Sequence, residues 1–306
     1  ILPAYGFLVV LCDNREEANP PSGPATYLHT SFNLDSGGGY LGLYDAAGQI
    51  IDSVATYPEQ VTFSSYGRSP LDPSQFVFLS TASPGTTNFG GSYTNRAGGV
   101  RFTDALGTNL LGGLYTNPSL TLYLQPEIPG EGVRYTLDGS EPSEWNGVTY
   151  TNPLVFTQPN DKTGIVVRAR CFLPGAVMGK VKTYTYLLRQ PWPLTNTAAL
   201  CLTGDPKYDW YRPDGLLSIF GGTYPTNGNI IWLANGTHSY NWATGDGSPF
   251  EREAHLEYYF RPGMYSTNQE PLRTDIGIRI ASSPYSRPRL KLTNPQRTSP
   301  WANSSL

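Results

Sequence analysis

The chain has 306 residues, with 21 Lys and Arg against 24 Asp and Glu, a net charge of −3 and a charged fraction of 15%, well below the roughly 25% of ordinary globular domains. Such a composition offers no basic surface to nucleic acid, and no stretch approaches the ~18 consecutive apolar residues of a membrane helix. With 33 Gly and 27 Pro it excludes long helices, while 21 Tyr and many Thr, Ser and Asn suit strands, turns and an extracellular surface.

In the opening stretch "ILPAYGFLVVLCDN", Pro3 and Gly6 interrupt the apolar run and no Lys or Arg precedes it. It therefore reads as a short buried strand from Phe7 to Leu11 rather than an export signal. In "GGYLGLYDAAGQIIDSVAT" the apolar Leu41, Leu43 and Ile51 interleave with small or polar positions, and Asp45 to Gly48 carries the turn chemistry of a hairpin. No strand-to-helix pattern follows Gly37-Gly38-Gly39, so that triplet predicts a turn and not a phosphate loop. Taken together, "LPAYGFLVVLCDN", "LHTSFNLDSGGGYLGLYDAAGQIIDSVATYP", "SYGR" and "STASPGTTN" resemble the second half of a lamin-tail domain, an immunoglobulin-like β-sandwich common in secreted bacterial proteins. The resemblance implies that residues 1–90 lack the first strands of that sandwich. An uncovered apolar face and an unpaired strand edge follow, to be closed by an upstream piece of the same polypeptide or by a strand from another subunit.

A Gly-, Ser- and Asn-rich loop, "TASPGTTNFGGSYTNRAGG", separates this unit from a second at 98–189. There Val133, Tyr135 and Leu137 point to one face of a strand that Asp138-Gly139 turns back. Ile165, Val167, Ala169 and Cys171 form an inner face, with Arg168 and Arg170 on a wet outer face. Asp138, Glu141 and Glu144 read as turn residues rather than a Ca²⁺ cluster. "VRYTLDGSEP", "TYTNPLVF", "IVVRARCFLPG" and "TYTYLL" resemble the accessory β-sandwich at the C-terminal end of chitobiase-type enzymes. Tyr115, Tyr123 and Trp145 are its candidates for stacking on carbohydrate.

The Pro-bearing linker "LRQPWPLTN" leads to a third region, 194–306. In "EREAHLEYYF" a strand places Glu251, Glu253, His255 and Glu257 on one face and Ala254, Leu256, Tyr258 and Phe260 on the other. A carboxylate-flanked His is competent as a base or metal ligand, yet strand alternation produces such rows on any wet face. "CLTGDPKYDWYRPDGLLSIFGG", "PFEREAHLEYYFRPG" and "TDIGIRIASSPYSRPRLKL" resemble the N-terminal part of a CotH-like domain, an atypical kinase family. Arg279 and Arg287 are the binding candidates on this stretch. Of the family's "HGG-x-SR" segment only Ser286 and Arg287 match, so the resemblance does not carry a kinase site over.

Cys12, Cys171 and Cys201 form no C-x-x-C pair and read as buried apolar residues, and no nucleophile elbow, Walker loop or H-E-x-x-H is present. No catalytic residue, metal or cofactor is implied. The expected fold is mainly β: tandem immunoglobulin-like β-sandwiches followed by a partial, less regular mixed domain. The expected function is a non-catalytic, extracellular, structural or adhesive modular protein, a subunit of a cell-surface or filamentous assembly. The rival is a fragment of a CotH-type kinase, or of a polysaccharide-active enzyme whose β modules bind carbohydrate.

Overall fold

The computed structural model describes residues 4–12, 28–61, 64–157, 164–188, 197–211, 215–216, 252–260, 270–281 and 289–293. It is mostly β, with 47% of residues in strands and 3% in helix, spread over several sheets.

The first region holds β1 (Val10–Leu11), β2 (Leu28–His29), β3 (Gly39–Tyr44), β4 (Ile50–Tyr57), β5 (Ser65–Arg68), β6 (Phe76–Leu79) and β7 (Ser92–Tyr93). β1 and β2 pair in parallel, β3 and β4 form an antiparallel hairpin, and β5, β6 and β7 form a small antiparallel sheet. The hairpin turn is the expected one: Gly48 takes φ +78°, and Asp45 Oδ1 accepts from the amides of Ala47 and Gln49. The expected burial of Phe7 to Leu11 is not found. Phe7, Leu8 and Val10 are exposed, because among the described residues only the edge of β2 lies alongside β1. Tyr40, Leu41, Leu43, Tyr44, Ile50 and Ile51 are exposed along the hairpin as well.

The middle region holds β8 (Asn95–Arg96), β9 (Val100–Thr103), β10 (Gly113–Leu114), β11 (Ser119–Pro126), β12 (Gly132–Thr136), β13 (Val148–Thr149), β14 (Leu154–Thr157), β15 (Ile165–Phe172), β16 (Ala176–Val177) and β17 (Lys182–Leu187). A three-stranded sheet, β14-β11-β9, faces a five-stranded sheet, β10-β17-β15-β12-β13. Between them lie Val100, Phe102, Leu122, Leu124, Val133, Val167, Ala169, Cys171, Tyr184 and Tyr186, the alternate residues of each strand, as sheet pleating requires. Phe102 and Tyr184 meet edge to face across the two sheets at 4.9 Å. The Gly-rich stretch before β9 is not a free linker. β8 pairs in parallel with β16, Ala97 is buried, and Arg96 Nη2 lies 2.7 Å from Glu59 Oε2.

The third region is an antiparallel sheet, β18-β19-β20-β21, formed by β18 (Ala199–Thr203), β19 (Arg252–Tyr259), β20 (Leu272–Ala281) and β21 (Arg289–Thr293). A π-helical turn, Pro206–Trp210, follows β18 and is capped by Asp205, whose side chain accepts from the amides of Lys207 and Tyr208. One face of β19 packs Ala254 and Leu256 against Leu216, Ile276 and Ile278.

Candidate functional site at the joint between two sheets

The alternation read from "EREAHLEYYF" is present, but the acidic face is not wet. β19 lies over the outer surface of β17, and the row Glu253, His255, Glu257 and Tyr259 meets the middle sandwich. Glu257 has no exposed surface. Nor is the outer face of β15 wet: Arg168 is 7% and Arg170 2% exposed, although they alternate with the core residues as expected. Arg168 Nη1 donates to the Gly139 carbonyl at 2.9 Å. Arg170 donates through Nε to Gly179 O at 2.9 Å and through Nη1 to Pro142 O at 3.2 Å, and it pairs with Glu141 at 3.2 Å. These bonds engage guanidinium groups that are costly to take from water, fully anchoring Arg170 on two carbonyls and a carboxylate while Arg168 Nε has no partner among the described residues.

Two cross-strand pairs sit side by side on β19 and β20. In the first, His255 Nδ1 is 2.7 Å from Asp275 Oδ1. Burial opposes ionisation of Asp275, but the hydrogen bond and charge of His255 outweigh it and hold the carboxyl below its ordinary value. In the second, Arg273 Nε is 3.6 Å from Glu257 Oε1. The same carboxylate oxygen accepts from the Tyr259 hydroxyl at 2.6 Å, and Arg273 Nη2 donates to Gly112 O at 2.8 Å. The Tyr259 oxygen also lies 3.1 Å from Thr185 O; its single proton belongs to the nearer carboxylate. Burial and the adjoining Glu257 charge both raise the Tyr259 phenol.

Gly112 is required at this joint. A Cβ there would stand 2.5 Å from the Tyr259 hydroxyl, 2.7 Å from Glu257 Oε1 and 2.8 Å from Thr185 O. Gly139, at φ +85°, closes the β12 turn as expected, and a Cβ on it would come within 2.9 Å of Gly204 O in the third region. Burial lifts Glu253 to about 7, aided by the charges of Glu141 and Asp275, and lifts Asp209 to about 6. Burial also raises the thiols of Cys171, to about 12, and Cys201, to about 11, so both are protonated.

The other sequence candidates lie apart. Tyr115 follows β10, with its hydroxyl donating to Leu111 O and its ring tilted against Tyr186 at 5.9 Å. Tyr123 is on β11 in the opposite sheet, half-buried across from Thr103. Trp145 stands in the β12–β13 loop, 93% exposed. The three share no common platform. Arg279 lies on β20 with its backbone paired to Lys291, while Glu251 and Arg287 fall outside the described residues. Asp138 bonds Ser140 and Glu141 bonds Arg170; among the described residues no three His, Cys, Asp or Glu side chains are grouped to hold a metal ion. Arg168, Arg170, Arg273, Asp275 and Gly112 were not expected in the cluster. The signal for the first two was two arginines, two residues apart in "IVVRARCF", on a strand otherwise apolar.

Residues 122–186 match the family described as Fn3 associated, a span running from β11 to β17 of the middle sandwich. Comparison with curated proteins and with solved structures gives no match. The chain is thus a modular β protein with a β-sandwich of Fn3-associated type at its centre. Among the described residues no helix is long and apolar enough to cross a membrane.

Proposed function

We propose that this chain is a non-catalytic structural or adhesive protein of the cell surface or extracellular space, built from a lamin-tail-like region at 1–90, a chitobiase-type sandwich at 98–189 and a CotH-like region at 194–306. The observation that carries the proposal is the orientation of Glu253, His255 and Glu257. The row with the most chemical potential in the sequence faces inward, where Glu257 is bonded to Tyr259 and paired with Arg273 against the backbone of the sandwich. Groups so engaged hold two modules together. A chain poor in charge and rich in Ser, Thr, Asn and Tyr supports the extracellular placement.

Its partner is a further strand, supplied by an upstream piece of the same polypeptide or by another subunit. Exposed Leu41, Leu43, Ile50 and Ile51 on a hairpin with no third strand among the described residues support this. The test is phosphate transfer, the chemistry of the CotH-type rival. Incubated with radiolabelled ATP and Mg²⁺, the chain should label neither itself nor a protein substrate. Transfer that disappears in Glu257→Gln would make the row catalytic and overturn the proposal.

A further inference from the structure

A cleft of about 240 Å³ opens between the first region and the middle sandwich. Ser64, Ser80 and Tyr93 line one side; Ser143, Glu144 and Trp145 line the other, over an apolar floor that includes Val177. We infer that this cleft is a binding site for a neutral sugar ring, with Trp145 as the stacking platform. The inference is independent of the structural role proposed above and neither needs nor excludes it.

Trp145 carries the case. An indole left 93% exposed is unusual for a side chain that contributes so much when buried, and here the backbone beneath it is fixed. Arg134 Nη1 donates to the carbonyls of both Ser143, at 3.0 Å, and Glu144. The Trp145 amide donates to Ser143 Oγ at 3.2 Å, and Ser143 and Asn146 exchange backbone bonds at 3.0 and 3.4 Å. Asn146 Nδ2 further ties the loop to Ser140 Oγ and Glu141 O. A loop held by this many bonds carries Trp145 on a fixed backbone, so that on binding only the indole's own rotamers remain to be ordered.

The lining selects the ligand class. A pyranose ring has a C–H face that packs on an aromatic plane and a rim of hydroxyls that both donate and accept. The cleft supplies an indole and a phenol ring for the first, and three serine hydroxyls and one carboxylate for the second. Among the described residues that line the cleft none is basic, so phosphate, sulfate or uronate groups meet no counter-charge from them. The volume is below the ~300–1,000 Å³ of drug-sized pockets and suits one ring of a longer chain. A single platform of this kind predicts weak binding, with a dissociation constant on the order of 0.1–1 mM.

The experiment titrates the full chain with cellohexaose, chitohexaose and xylohexaose by calorimetry, and with choline as a cationic probe of the same aromatic pair. At least one neutral hexasaccharide should saturate the protein. Trp145→Ala should weaken that binding tenfold or more, and Glu144→Gln, which keeps an acceptor oxygen, should change it less than about threefold. Because Trp145 is exposed, its removal should leave the far-ultraviolet circular dichroism unchanged. Saturation by none of the three sugars, or undiminished binding in Trp145→Ala, overturns the assignment. Choline binding that is lost in Glu144→Gln, without sugar binding, overturns it too and makes the site a cation site.

Discussion

At the scale of single residues, the joint is governed by what happens to charges removed from water. Glu257 is fully buried and its charge is compensated by Arg273 and by the Tyr259 hydroxyl, while Oε2 has no hydrogen-bond partner among the described residues. Removing one partner of such a pair costs about 3–5 kcal/mol, whereas replacing both with apolar side chains is often nearly neutral. Arg273→Met should therefore lower the chemical-denaturation midpoint sharply, and Glu257→Met added to it should recover most of the loss. Additive losses in the double variant would show that the two side chains do not act as a pair. Gly112→Ala should also destabilise, by roughly 1–3 kcal/mol, through the close approach of its Cβ to three oxygens of the joint.

Glu253 gives the joint a pH dependence. Its folded-state carboxyl is raised to about 7 against roughly 4.3 in an unfolded chain, so the folded state holds the extra proton between these values and stability falls as pH rises through that window. Asp275 is displaced the other way, so its contribution is present above pH ~4 and is lost in more acidic solution. Thermal unfolding should be highest near pH 5 and lower at pH 8, and Glu253→Gln should flatten the decline between them. An unchanged slope in that variant would remove Glu253 as its source. Strand alternation placed Glu253, His255 and Glu257 on one face from sequence alone. What it could not supply was the surface opposite, because Arg168, Arg170 and Gly112 come from another sheet, and only the fold sets their distance from the row.

At the scale of elements, the most informative contrast is between β15 and the β3–β4 hairpin. Both are strands, as the alternation of their residues predicts. β15 is buried on both faces, by the sandwich core on one side and by the joint on the other, so its apolar and arginine positions are equally enclosed. The hairpin leaves Leu41, Leu43, Ile50 and Ile51 in solvent, and neither buried cluster among the described residues extends to it. Exposed apolar strands with open edges recruit other strands. The isolated chain should therefore self-associate with concentration in sedimentation velocity, and Leu43→Lys with Ile51→Lys should shift it toward monomer. Association unchanged by these substitutions would place the contact elsewhere. The hairpin turn was legible because Asp45 and Gly48 encode it locally, whereas the burial expected for Phe7 to Leu11 depended on neighbours that sequence pattern does not reveal.

At the scale of the whole molecule, composition was enough to fix a mainly β, multi-sheet chain, since Gly, Pro and β-formers act through local backbone preference. It could not show which modules are mechanically coupled. The Gly-rich stretch after the first region looks like a spacer, yet β8 pairs with β16 and Arg96 reaches Glu59. The middle sandwich and the following sheet meet where Arg273 Nη2 donates to the Gly112 carbonyl, where the Tyr259 hydroxyl approaches Thr185 O, and where the Gly139 backbone lies close against Gly204. Coupled in this way the two modules should open as one unit, which is measured by peptide-resolved hydrogen exchange in rising denaturant. Peptides spanning 182–187 and 252–259 should share one opening free energy, and Arg273→Met should lower both together. Exchange that rises in 252–259 alone, with 182–187 unmoved by the substitution, would contradict it.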